Sequence, residues 1–547
     1  MARMTTTASD HLGESSSGPP DAWVVAGRDV DGRPLPSLRQ RLCPPMPEDR
    51  PWDWLGPVLV ALFAGLVRLW DLGRPARFVF DETYYPKDAF GLLRFGVEQQ
   101  FVDKANERIL AGDLDVFAGP AFVVHPPAGK WMIALGEWVF GMNPFGWRIA
   151  VALLGTVSVL VMARAVRRLT RSTLLGCLAG FLLAIDGLHL VESRIALLDL
   201  PTMAWTLFAF AALLVDRDWA RRRLADAVEP DGQVPPDGWG PPLLWRPWRL
   251  VAGLCFGVAV ATKWNAAVVL AAFGLLTWAW DIGARRAIGV AFDRLSSWIR
   301  LALDTLVAFV TVVGSALVVY IASWAGWFAS PHGYGRHWAE SNPASGLASL
   351  VPDALRSLWH YHAEIMYFHT TLTDEHQYAS SPWGWLIVAR PVSFDWVDNI
   401  GPDQGCPTDR CVQEILGIGT PVLWWGAVLA LVASLVWWLG ARDWRFGVPV
   451  VGVAATWLPW FLYTDRPIFY FYAVMILPWL VIAVTLVCGK LLGPEDASPR
   501  RRVWGAAAVG GFTLLVLVNF AYLYPILTDQ VIPYEDWLRR MWFRSWV

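Results

Sequence analysis

Charge is what this chain is short of. Asp, Glu, Lys and Arg make up only 17% of its 547 residues, against about 25% in an ordinary soluble protein. A chain so long and so poorly charged is not a disordered protein, a coiled coil or a typical soluble enzyme. Lysine is scarcest, with only Lys87, Lys104, Lys130, Lys263 and Lys490, so arginine supplies nearly all the positive charge. The signs almost cancel, to a net charge of −2, which leaves no bulk field to attract nucleic acid. Six cysteines are too few for a disulfide scaffold. Cys177, Cys255 and Cys488 fall in apolar runs, where they pack as small hydrophobes.

Apolar residues are abundant, at 55% with 35 tryptophans, and tryptophan favours membrane–water interfaces. Residues 1–50, rich in Ser, Gly, Pro and Asp, read as a disordered tail without the apolar core of a cleaved signal. The run from Trp54 to Trp70 then acts as an uncleaved anchor. Apolar runs predict membrane helices near 53–71, 146–166, 172–187, 197–215, 248–262, 264–280, 301–322, 419–439, 446–463, 468–488 and 503–523. That is about eleven spans, each near the ~20 residues a bilayer core demands, and helix is the form that leaves no backbone group unpaired in lipid. Arginine clusters at 164–171, 217–223, 285–294, 442–445 and 500–502 mark cytoplasmic loops, whereas the alternate loops carry single cations. The N-terminus is therefore expected inside and the C-terminus outside. Two long segments, 72–145 and 323–418, are expected on the outer side. The predicted domains are the tail 1–50, a transmembrane module 51–322, an outer loop 323–418 and a C-terminal module 419–547.

Polar residues gather at the outer ends of these spans. Asp81-Glu82 follows the first span, flanked by Phe78, Phe80, Tyr84 and Tyr85. A solvated acidic pair has different neighbours; these imply partial burial, which raises a carboxylate's pKa and readies it for proton transfer. His125-Pro126-Pro127-Ala128-Gly129-Lys130 lacks the glycine spacing of a P-loop. Arg148, Arg194, Lys263 and Arg466 lie at outer helix ends or turns, with Asp199, Trp264 and Tyr470 near them. Taken singly, each is an interfacial anchor. Together, cations and carboxylates on one membrane face suit the binding of a lipid phosphate beside an activated nucleophile. His360 and His362 are two apart and do not share a helical face, so no HExxH-type zinc site is present and no metal is expected. Cys406 and Cys411, on an oxidising face, are expected to pair.

In their order, several motifs resemble the protein O-mannosyltransferases: Asp81-Glu82, His125 to Lys130, Ser193-Arg194 with Leu197-Leu198-Asp199, Thr262-Lys263-Trp264, Ser381-Pro382-Trp383 through Arg390-Pro391, and Trp457-Leu458-Pro459. The variant looks actinobacterial, and the resemblance runs from about residue 53 to the C-terminus. It implies an all-α polytopic GT-C glycosyltransferase fold. It also implies inverting transfer of mannose from polyprenyl-phosphate-mannose to Ser or Thr of exported proteins, at the outer face of the plasma membrane and near the Sec translocon. No prosthetic group is implied. By this match Asp81 is the catalytic base and Glu82 assists. Arg148, Arg194, Lys263 and Arg466 are candidates for the donor phosphate, and His125, Lys130, Trp264, His360, His362 and Tyr470 for further substrate contacts. The loop 323–418 is too short for the sugar-binding-like domain that eukaryotic members carry there. The rival readings are another GT-C enzyme with a lipid or glycan acceptor, and a transporter. A transporter places ionisable groups near mid-bilayer, whereas here they gather at the outer ends.

Overall fold

The computed structural model describes residues 37–228, 239–494 and 496–547. Each apolar run predicted above contains a helix. Among the described residues eight helices are long and apolar enough to cross a membrane, or up to nine if one bent pair is a single span. Pro247–Val260 and Leu477–Leu492 are apolar but shorter. The predicted run 468–488 begins as a 3-10 turn, Tyr470–Met475, before its helix starts. The helix Asp199–Val228 sits centrally, with 78% of its apolar window buried, whereas only 6% is buried in Leu295–Ser323. The exposed Leu303, Leu306, Phe309 and Val318 of that outer helix therefore face lipid.

Local chemistry sets the breaks. Asn143 accepts from the Gly146 amide (3.0 Å) and opens the helix Pro144–Thr170. The run 172–187 is not one straight span: it bends by 63° between Thr173–Ala184 and Gly187–Arg194. Asp186 makes the break, accepting from the amides of His189 and Thr420 (both 3.0 Å) and from the Trp424 indole (2.8 Å). Within the outer helix, residues Val310–Gly314 form a π-turn. Beside it lie Gly253 and Gly257; a Cβ on Gly253 would strike Ser315 and the Val312 carbonyl. These glycines let the two backbones approach closely.

Two small antiparallel sheets supplement the helical frame. Gln99–Phe101 pairs with Phe117–Pro120 inside the first long loop. Val392–Ile400 pairs with Cys411–Gly417, which also pairs with Ile532–Pro533 beyond the last long helix. The second sheet thus ties the 323–418 segment to the C-terminal one. Cys406 and Cys411 are joined by a disulfide at its edge. Of the tail expected to be disordered, residues 1–36 lie outside the described residues. Residues 37–50 are ordered and include the capped helix Leu38–Leu42, whose Leu42 is buried against Leu224, Ala284 and Leu301.

Candidate functional site

The Asp-Glu pair lies on a single 3-10 turn, Phe80–Thr83. Phe80 adopts φ 50°, a conformation a bulky residue holds only under constraint. The constraint is aromatic: its ring lies edge-on to Phe394, Phe471 and Phe469, at 5.1, 5.7 and 6.2 Å. From this turn the two carboxylates go separate ways. Glu82 is fully buried and accepts from Arg148 through both oxygens (2.8 and 2.7 Å), from the Ala196 amide (2.9 Å) and from the Val79 amide (3.0 Å). Asp81 instead lies within electrostatic reach of Lys263, with the Tyr85 hydroxyl 3.5 Å from its Oδ2. Burial pushes the Asp81 carboxyl up to about 6, against the opposing pull of Lys263.

Lys263 stands on the turn after Pro247–Val260. Its Nζ contacts both oxygens of Asp199 (2.8 and 2.9 Å) and sits 4.2 Å above the Tyr472 ring. The His125–Lys130 motif packs on this turn: the Ala128 amide donates to the Ala261 carbonyl (3.0 Å). A Cβ on Gly129 would lie 2.5 Å from Thr262, so only glycine allows that approach.

Beside Lys263 opens a cavity of about 760 Å³. Its polar wall includes His125, Trp264, His362, His369 and Arg466; its apolar wall includes Val268, Leu317, Met366 and Leu462. Leu462, at its rim, is 82% exposed. His369 holds Arg466 in place: its Nδ1 is 3.0 Å from the guanidinium, and its Nε2 faces the Val124 carbonyl at 3.0 Å. Burial lowers His369 to about 4, which keeps it neutral beside the arginine. The Nε of Arg466 is buried and unpartnered among the described residues. The Trp264 indole donates to the Tyr320 hydroxyl (2.9 Å), which bonds His362 Nε2 at 2.6 Å.

Several predicted contacts lie elsewhere. Arg148 is fully buried and spends its five N–H groups on Glu82 and on the carbonyls of Leu72, Pro75 and Arg77, so none remains for a phosphate. Arg194 donates to the carbonyls of Val67, Arg68, Trp70 and Asp71 and so caps the helix Pro51–Leu69. Lys130 is buried against Glu98 (2.5 Å) and Asp88 (3.7 Å). His360 stacks on Trp338 at 4.1 Å, away from the cavity that its neighbour His362 lines. Tyr470 is buried and accepts from the Gly419 amide. Among the described residues no three His, Cys, Asp or Glu gather as a metal site.

A family model for dolichyl-phosphate-mannose-protein mannosyltransferases matches residues 58–225, and one for the C-terminal four-helix membrane region of protein O-mannosyltransferases matches residues 354–546. A polyprenol-phosphate-mannose–protein mannosyltransferase of Mycolicibacterium smegmatis is 37% identical over 91% of this chain and 94% of its own length. The chain belongs to the protein O-mannosyltransferase family. Relatives of the same name from Mycobacterium tuberculosis (37% identical, 96% of this chain, 99% of theirs) and Corynebacterium glutamicum (33%, 89% and 91%) agree. The Saccharomyces cerevisiae Pmt1–Pmt2 complex bound to its sugar donor shares the GT-C fold, with TM-score 0.68 at 14% identity over 97% of this chain and 96% of that one. The chain is thus a multi-pass membrane mannosyltransferase of this family.

Tyr472 and Tyr320 join the site beside His369 and Asp199, which the sequence had marked only as a loop histidine and a motif carboxylate. Asp199 carried a signal: it ends the Leu-Leu-Asp motif at a helix start. Tyr320 carried none, being one tyrosine at the end of an apolar run.

Proposed function

We propose that the chain transfers mannose, with inversion, from a polyprenyl-phosphate-mannose donor to Ser or Thr hydroxyls of exported proteins. The reaction takes place at the outer face of the plasma membrane, with the N-terminus cytoplasmic, on acceptors arriving from the Sec translocon. The observation that carries this reading is one juxtaposition: a half-buried Asp81, raised toward neutrality, beside a cavity with cations on one wall and lipid-exposed apolar residues on the other. Asp81 accepts the hydroxyl proton as the acceptor oxygen attacks the anomeric carbon. The bond to the phosphate breaks, and the polyprenyl phosphate leaves as an anion without needing a proton, so no second acid is required. Arg466 meets that anion. Lys263, already matched by Asp199, sets the charge around Asp81 instead. The prenyl chain lies along Val268, Leu317 and Leu462. In this reading residues 51–322 form the module bearing the base, 323–418 covers it, and 419–547 supplies Arg466. The test is to incubate purified protein with the lipid donor and a Ser/Thr-rich peptide, reading the product by mass spectrometry. Asp81→Asn is expected to lose transfer by about 10²–10⁴-fold while still binding donor; full activity in that variant removes Asp81 from the mechanism.

A further inference from the structure

A second polar cavity, of about 520 Å³, lies far from Asp81. The helix Pro144–Thr170 runs from Arg148, bound to Glu82, to Arg168 on the wall of this cavity, a rise of about 30 Å. Six arginines line it: Arg41, Arg168, Arg171, Arg217, Arg221 and Arg445. Among the described residues two carboxylates line the cavity with them, and Asp281 adds a pull on Arg221 from beyond its wall. Asp218 is shared by Arg168 (2.8 Å), Arg171 (2.8 Å) and Arg217 (3.8 Å), and Asp443 pairs with Arg445 (2.6 Å).

Arginines that only orient a membrane protein can stay solvated at its surface. These do not. The Arg217 side chain is 7% exposed, its guanidinium stacks 3.5 Å over Trp444, and its Nε has no hydrogen-bond partner among the described residues. The Nε of Arg221 is likewise buried and unpartnered among the described residues. Buried cationic donors with too few acceptors call for an anion. Arg171 and Arg445 also wall an adjoining cavity of about 1040 Å³, which adds Lys490, Arg501 and Arg502 to the apolar Leu174, Leu175 and Leu486.

We propose that this arginine cavity, at the end of the bundle opposite the catalytic one, binds a phosphate-bearing anion: the headgroup of an anionic phospholipid, or a soluble phosphate. The greasy wall of the adjoining cavity suits the first source. The site stands independently of the transfer reaction.

The experiment uses the full-length protein in detergent. Native mass spectrometry follows incubation with equal phosphatidylglycerol and phosphatidylcholine, and thermal unfolding is read with pyrophosphate against chloride of equal ionic strength. Wild type is expected to retain phosphatidylglycerol about tenfold over phosphatidylcholine, and Arg217→Gln/Arg221→Gln to lose the preference. A pyrophosphate-dependent rise in Tm without lipid preference, abolished in the same variant, supports the site with a soluble occupant. If that variant does not fold, Arg445→Gln, whose side chain is 37% exposed, replaces it. No preference and no rise in wild type, or responses unchanged in the variants, overturns the proposal.

Discussion

Asp81 and Glu82 are adjacent carboxylates with opposite surroundings, and the difference is set by charge and burial. Glu82 is matched by a guanidinium and two amides, whereas Asp81 is half-buried with only partial compensation from Lys263 and stands at about 6. A base with that value is protonated in acid, so kcat/KM is expected to rise with pH through about 6 and level off above it. Lys263 lowers the Asp81 value. Lys263→Gln is therefore expected to move this limb to higher pH; an unmoved limb in the pH profile would break the link between the two. The sequence revealed two acids among aromatics, and hence the burial. It could not tell the partners apart, because Arg148 and Ala196 lie 66 and 114 residues from Glu82. The same holds for Arg148 and Arg194: an arginine at a helix end looks alike in sequence whether it meets a ligand or backbone carbonyls.

At the scale of the elements, ion pair and backbone approach decide stability. Arg148→Gln leaves Glu82 buried without its cation, a loss of about 3–5 kcal/mol, and is expected to lower the midpoint of thermal unfolding along with activity. Gly253→Val drives a side chain into Ser315 and Val312. It is expected to splay the outer helix and raise KM for the lipid donor, with kcat the less affected. Glu414, in the strand Cys411–Gly417, is pushed by burial from 4.5 to about 7 and accepts from the Trp537 indole at 2.6 Å. The folded state thus holds its proton more tightly, and the stabilisation, complete below about 4.5, is lost as pH rises through about 7. Glu414→Gln is expected to flatten that dependence in unfolding measured from pH 5 to 8. Hydropathy located the helical runs but not the 63° bend, because Asp186 makes that break with Thr420, 234 residues away. It also missed the small sheets, whose strands are short and partly polar.

For the molecule as a whole, the catalytic cavity and the arginine cavity occupy opposite ends of one bundle, which makes orientation testable. Ser349→Cys, in the exposed turn Gly346–Leu350 of the 323–418 segment, is expected to react with an impermeant maleimide on intact cells, and Arg500→Cys only after permeabilisation; the reverse pattern would invert the topology. The order of motifs along the chain was enough to anticipate the GT-C architecture. The π-turn at Val310–Gly314 sets the phase of everything after it. Were those same residues to close as ordinary α-helix instead, the following segment would swivel by nearly one residue's step of about 100°. Tyr320 would then turn from Trp264 and His362 toward the acyl chains, and the doorway to the donor would lose its jamb though no residue touching substrate had been altered.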